Sequence, residues 1–328
     1  HTRDWDVEWR RQLPLRDSSG FSPDSMRPQQ VIPGRVRGTR RTGKQIPRNF
    51  TNIPGLGIGI RAGMVIDRGG AAGYGSGMAA LDELVAFMDR ELDLAAIPDY
   101  PGAVNGLQLA NGGEVGRIVT AVDASLAVVE AAAAGGPGLL LVHHGMFWQG
   151  AQPVRGAFYR KLKTAMDAGL AIYSAHLPLD VHPEWGNNIC LARALGVMET
   201  APFLDWKGAP MGLRGKWEGT RDELRERLAA AVGGPVLVCP GGPAAIRTVG
   251  LVTGGAGTEV ARAADAGVDV FISGEGPHWS FPLAEELGLN VMLAGHYATE
   301  TFGVKALGAE LARRFGLPWD FIDRPTGL

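Results

Sequence analysis

Apolar positions recur along this chain in two rhythms, and the rhythms take turns. From Met78 onward, Leu81, Leu84, Val85, Met88 and Leu92 fall at the i, i+3, i+4, i+7 spacing of one helix face. Residues 117–122 then read as a strand, 125–134 as an alanine-rich helix and 139–142 as a second strand. A helix over 158–168, a strand over 171–174 and a helix over 188–195 follow. After a less regular stretch, 221–232 carries helix spacing and charge pairs. Strands 248–252, 268–272 and 291–293 alternate from there with helices 259–266, 281–287 and 299–315. Strands alternating with helices imply βαβ units and largely parallel sheets. The expected fold is therefore α/β, with two lobes at about 78–198 and 246–328 and a connecting region at about 199–245.

Residues 1–77 lack this periodicity and differ in charge. They hold 13 Lys+Arg against 6 Asp+Glu, a net of +7, where the rest of the chain holds 19 against 28, a net of −9. Pro, Arg, Gly and Ser scatter through residues 17–48. Such a segment buries too little apolar surface to offset its ordering entropy. It is expected to be a poorly structured basic extension, or an overlong translation start. A tail contacting nucleic acid is the other reading of its charge, and nothing else in the sequence supports that partner.

Composition excludes several classes. No apolar run approaches the roughly 18–20 residues of a membrane-spanning helix, and no charged-then-apolar leader opens the chain. Cys190 and Cys239 are too few for a disulfide framework and too far apart for a CxxC pair. A cytoplasmic protein in a reducing compartment is the expectation.

Six of the seven histidines lie between His143 and His296, and three of the predicted strands end directly in potential metal ligands. His143 and His144 follow residues 138–142, His176 and Asp180 follow 171–174, and His296 and Glu300 follow 290–294. Open α/β sheets bind ligands in the crevice outside the carboxyl ends of their strands. Adjacent strand residues face opposite ways, so His143 and His144 serve one site only if the strand stops there, or else bind two neighbouring metals. His296 and Glu300 share a helix face if a helix begins near His296. Together His143, His144, Asp180, His296 and Glu300 make a mixed N/O set suited to Zn, Fe, Mn, Co or Ni.

Secondary candidates are weaker. Glu275 and His278 follow another strand and, with His176, are candidates for proton transfer or for orienting the ligands. Asn187 and Asn188 are read as helix caps. Residues 253–257, Thr-Gly-Gly-Ala-Gly, are read as a tight βα turn in preference to a phosphate cradle, since they fit neither phosphate-binding glycine pattern. Phe147 and Trp148 are read as packing residues in preference to walls of a pocket, and His182 and Trp185 as surface or packing residues of a loop.

The series Val142–Trp148, His176–Asp180, Gly186–Asn188, Ser273–Glu275 and Gly295–Glu300, in that order, resembles the motifs of the YbgI-type dinuclear metal-centre proteins, related to the yeast NGG-interacting factor three. The resemblance covers about residues 78–328, the family's short form, and leaves the N-terminal arm unexplained. It implies that His143, His144, Asp180, His296 and Glu300 hold two divalent metal ions, with Glu300 bridging. It also implies a site between the two α/β lobes and a hexameric ring whose sites face an inner cavity. Tyr297 departs from members that carry another histidine there. Family members often bear a GTP cyclohydrolase-type name. The function expected is a metal-dependent hydrolase acting through a metal-activated water on a small substrate, such as a nucleotide or purine ring. The alternative is metal storage or delivery, or an oligomeric scaffold acting through protein partners.

Overall fold

Alternation within the buried strands decides how each sheet is covered. In the computed structural model, which describes residues 65–67 and 77–328, two six-stranded sheets form an α/β architecture. The first runs β1 (Val65–Asp67), β14 (Trp319–Asp323), β5 (Ile118–Asp123), β6 (Gly138–His144), β7 (Leu170–Ser174) and β3 (Gly106–Leu109). Its central pairs, β14–β5–β6–β7, are parallel, and β1 and β3 close the edges antiparallel. Leu139 and Leu141 of β6 pack into one core with α1 (Leu81–Glu91) and α10 (Thr301–Phe315). Leu140 and Val142 pack into another with α2 (Leu126–Ala133) and α3 (Gly156–Asp167). Burial on both faces is why these strands read as continuous apolar runs.

The second sheet runs β10 (Leu237–Pro240), β13 (Asn290–Leu293), β12 (Val270–Ser273), β11 (Ala245–Leu251), β9 (Ala209–Thr220) and β8 (Met198–Trp206). Strands β11, β12 and β13 are parallel, and the flanking pairs are antiparallel. One face packs on α5 (Asn187–Leu195) and α6 (Arg221–Val232), the other on α7 (Val260–Asp265) and α8 (Ser280–Glu286). A capping box between Thr220 and Glu223 starts α6. Helix α10 belongs to the first core, yet it contacts α5, and its Phe302 reaches the second core. Two short strands, β2 (Ala79–Ala80) and β4 (Glu114–Val115), pair separately.

Several elements differ from expectation. Residues 199–245 are no mere connection: they supply most of β8 together with β9, α6 and β10, whose strands flank the parallel centre of the second sheet in antiparallel pairing. The chain's last strand, β14, returns to the first sheet beside β5. The single helix expected over 299–315 is broken at Glu300, which joins α9 (His296–Thr299) to α10 at φ −102° and ψ 4°. His176 is followed at once by a one-turn helix, α4 (Leu177–Asp180). In the basic arm, Val65–Asp67 pair with β14, and the other residues of that expectation, up to 76, lie outside the described residues.

Candidate metal centre

Each histidine of the cluster has one ring nitrogen committed to an acceptor. His143 Nδ1 donates to the Ala175 carbonyl at 2.8 Å, and His144 Nδ1 to Asp123 at 2.9 Å. His176 Nδ1 donates to Asp99 at 2.8 Å, and His296 Nδ1 to Glu275 at 3.0 Å. A carbonyl or carboxylate only accepts, so Nδ1 carries a proton in either charge state of the ring, and Nε2 is the nitrogen left to ligate. Histidine tied in this way to a carboxylate or carbonyl is the usual support of a metal ligand.

The Nε2 atoms converge on two carboxylates. Glu300 is 2% exposed; its Oε1 stands 3.5 Å from His143 Nε2, and its Oε2 stands 3.3 and 3.1 Å from those of His144 and His296. Asp180 Oδ1 is 3.6 Å from His143 Nε2. These separations suit ion pairs where a ring is doubly protonated, whereas with a neutral ring both partners are acceptors. His143 Nε2 and Glu300 Oε2 are both buried without a hydrogen-bond partner. Buried polar atoms are almost always satisfied, and a cation could satisfy both of these. The chemistry agrees, because ligand atoms of His143, Asp180 and Glu300 lie within 4.8 Å of one another, as do those of His144, His296 and Glu300. His143, His144 and His176 form a third such group.

Electrostatics point the same way. Burial opposes charge on His143, but Asp180 and Glu300 outweigh it and push the imidazole up to about 10. His296 is pushed up to about 9 against its own burial, by Glu300 and then Glu275. Glu300 is held far below the usual carboxylate range, with the neighbouring histidines overcoming a large burial penalty. A field that favours extra protons on buried rings favours a bound cation as well.

The local folding explains the convergence. Strand β6 stops at His144, and Gly145 has no room for a side chain because Gln108 packs against it. Gln108 also accepts from Met146 N and donates to the carbonyls of Ala103 and Val104, fixing the turn. Both histidines therefore meet one centre, although they are consecutive. Thr253 and Gly254 follow β11, and Gly254 adopts φ +69° close against Glu300 and His296.

Asn187 and Asn188, expected as helix caps, do other work. Neither caps α5, whose N-cap is Gly186 without a side-chain bond. Asn187 donates to Asp180 Oδ1 at 2.8 Å and accepts from Gly303 N at the start of α10. Asn188 donates to the carbonyls of Asp180 and Met211 and accepts from Thr253 N. They hold Asp180 and tie segments of both lobes together. In residues 253–257 the amides of Thr253, Gly254, Ala256 and Gly257 are spent on Asn188, Thr299, Ser273 and Glu275, so the loop is a tight turn and no phosphate cradle.

Of the proton-transfer candidates, Glu275 and His176 reach the cluster, whereas His278 is exposed, bonds to none of it and does not line the adjoining cavity. Phe147 packs against Phe158, and His182 stacks on Trp185 at 4.4 Å, as expected of packing residues. Trp148 differs: it is partly exposed and walls the cavity beside the centre. Sequence reading missed Asp99 and Asp123. Asp123 ends a strand and was findable by the rule that located the ligands; Asp99 lies in a proline-flanked loop with no such signal. The cavity, of about 580 Å³, is lined by His144, His176, Asp180, His296 and Glu300 among others.

Comparison with known proteins matches residues 79–326 to the family described as Duf34/NIF3 (NGG1p interacting factor 3). A Deinococcus radiodurans relative named GTP cyclohydrolase 1 type 2 homolog is 42% identical, over 77% of this chain and 97% of its own. A relative of the same name from Pyrococcus horikoshii is 39% identical, over 75% and 99%. Among solved structures, TTHA1606 of Thermus thermophilus is 40% identical with a TM-score of 0.69, covering 76% of this chain and 100% of its own. Protein ybgI is 37% identical with a TM-score of 0.71 and the same coverage. Matched along nearly all of its periodic region, the chain belongs to the Duf34/NIF3 family.

Proposed function

We propose that the cluster holds two divalent metal ions and that the chain is a metal-dependent hydrolase. The observation that carries this reading is the buried, unpartnered pair His143 Nε2 and Glu300 Oε2, at the meeting point of three histidines and two carboxylates. His143 and Asp180 would hold one ion, His144 and His296 the other, and Glu300 both. The identity is one of Zn, Fe, Mn, Co or Ni, as the N/O donor set suits. Bound there, the ions supply Lewis acidity and a water acidic enough to attack at neutral pH.

The chain's own groups do the rest. Asp123 and Glu275 fix the tautomer and aim of His144 and His296. His176 lines the cavity with Asp99 on its Nδ1, so its Nε2 is placed to take a proton from water or give one to a leaving group. His278 is exposed and makes none of these contacts. The relatives' names favour a nucleotide or purine ring as substrate. The setting proposed is a cytoplasmic hexameric ring, in keeping with two free cysteines; no described helix is long and apolar enough to cross a membrane.

Metal per chain tests the reading, on protein purified without chelator and after reloading, with His144→Ala and Glu300→Ala alongside. Close to two ions in the wild type, lost in the variants, is the expected result. Little metal after reloading overturns the reading and favours a scaffold.

A further inference from the structure

The cavity beside the centre is walled on its outer side by aromatic rings. Tyr100 is 47% exposed and Trp148 38%, and both line the cavity with their ring centroids 6.5 Å apart. Neither ring is loosely held. Trp148 meets His176 edge-on at 4.7 Å and His144 at 5.7 Å. Tyr100 is backed at 4.7 Å by Trp206, at the tip of the β8–β9 hairpin, and stands 6.2 Å from His176. Met211 and Val252 add apolar wall. Exposed aromatic faces fixed beside a concave site are a stacking platform, and its size falls within the ordinary range of small-ligand pockets.

Charge narrows the ligand further. Among the described residues, the lining includes Asp123, Asp180, Glu259 and Glu300 but no Lys or Arg. The nearby Arg262 is paired to Glu259 at 2.7 Å, and Lys207 lies over the Trp206 ring at 4.1 Å. Arg324 lines a separate cleft, which shares only Asp123, His144 and Trp148 with this one. Away from the centre, an extended anion such as a polyphosphate meets carboxylates without a lining cation to offset them.

We propose that this cavity receives a planar, uncharged heteroaromatic ring, packed against Tyr100 and Trp148, whose planes are tilted 52° to each other, with one edge turned to the metal centre. The inference rests on the dinuclear reading above and adds the group that the substrate must present. Because Trp148 touches both His144 and His176, a ring seated on it brings its edge within reach of the centre and of the His176 Nε2 proton site.

The test is calorimetric titration of the metal-loaded full chain with adenosine, nicotinamide, lumichrome and ribose 5-phosphate, with metal content measured on the same samples. At least one ring compound is expected to bind, and to bind about tenfold more weakly to Tyr100→Ala and Trp148→Ala. Tyr100→Phe should retain binding, and all three variants should retain the wild-type metal content. Failure of every ring compound to bind a metal-replete wild type overturns the proposal, as does ring affinity unchanged in both alanine variants. Binding of ribose 5-phosphate more tightly than any ring compound overturns it too. A wild type that takes up no metal strikes the dinuclear reading instead, and ring binding to that protein would still be weakened by the two alanine variants if the platform is real.

Discussion

Gly254 shows how little freedom a single position has here. A Cβ at this residue would fall on Glu300 Oε1, and the backbone sits at φ +69°, where side chains are strained. Gly254→Ala is expected to cost about 1–2 kcal/mol in backbone strain alone. It should also displace the shared carboxylate, so that metal binding weakens far more than that loss of fold stability explains. Parallel metal titration and urea unfolding would separate the two, and unchanged metal affinity would refute the crowding. Asp123→Asn and Glu275→Gln act more gently, each loosening one histidine. About tenfold to a hundredfold weaker metal binding is expected of each, read by competition with a chelator. The titrating groups set a pH dependence as well. With His143 pushed up to about 10 and His296 to about 9, both carry protons at neutral pH in the metal-free chain. A cation must displace those protons, so binding releases them and apparent affinity rises as pH rises toward 9–10. Calorimetry in buffers of different ionisation enthalpy measures the release; none at neutral pH would contradict the assignment. In the metal-free fold the same raised values stabilise fully below the unfolded value of 6.5 and lose that stabilisation as pH rises through about 10. Glu300, depressed from 4.5, contributes above that value and loses its contribution as pH falls.

At the scale of elements, the helix starts carry the site. Helix α5 begins with two asparagines that face inward, and α10 begins just after Glu300. Asn187 joins them by bonding Asp180 on one side and the Gly303 amide on the other. Asn187→Leu removes both partners inside the protein, and a buried donor or acceptor left unsatisfied costs about 1–3 kcal/mol. We expect a loss of that order in denaturant midpoint experiments, together with weaker binding at the His143–Asp180 position. A variant with full stability and full metal content would show that this bridge is dispensable. None of this was legible in the periodicity. Two asparagines before an apolar run are also what an ordinary cap looks like, and the distinction depends on what lies opposite. The helix break at Glu300 was equally hidden, since residues 299–315 keep helical spacing throughout.

For the whole molecule, strand return matters most. Strand β14 lies between β1 and β5, and its Phe321 is 1% exposed in the core with α1 and α10. Phe321→Ala is expected to cost about 3–5 kcal/mol, measured by urea unfolding; a loss below about 1 kcal/mol would mean that the strand is peripheral. The sequence by itself determined the α/β class and the strands over 117–122, 139–142, 171–174, 248–252, 268–272 and 291–293, three of which end at or just before His143 and His144, His176 and Asp180, and His296 and Glu300. These follow from local rules: burial on both faces makes a strand uniformly apolar, and ligands cluster where such strands stop. Flanking antiparallel strands such as β3, β8 and β9 escaped because they are partly exposed and their pairing is set by the neighbour they find. Only the tertiary structure decided that Asp99 and Asp123 would tie His176 and His144, that Asn188 would join Asp180 to Thr253, and that Tyr100 would stand beside Trp148. Each of those contacts joins residues distant along the chain, and spacing along the chain carries no record of them.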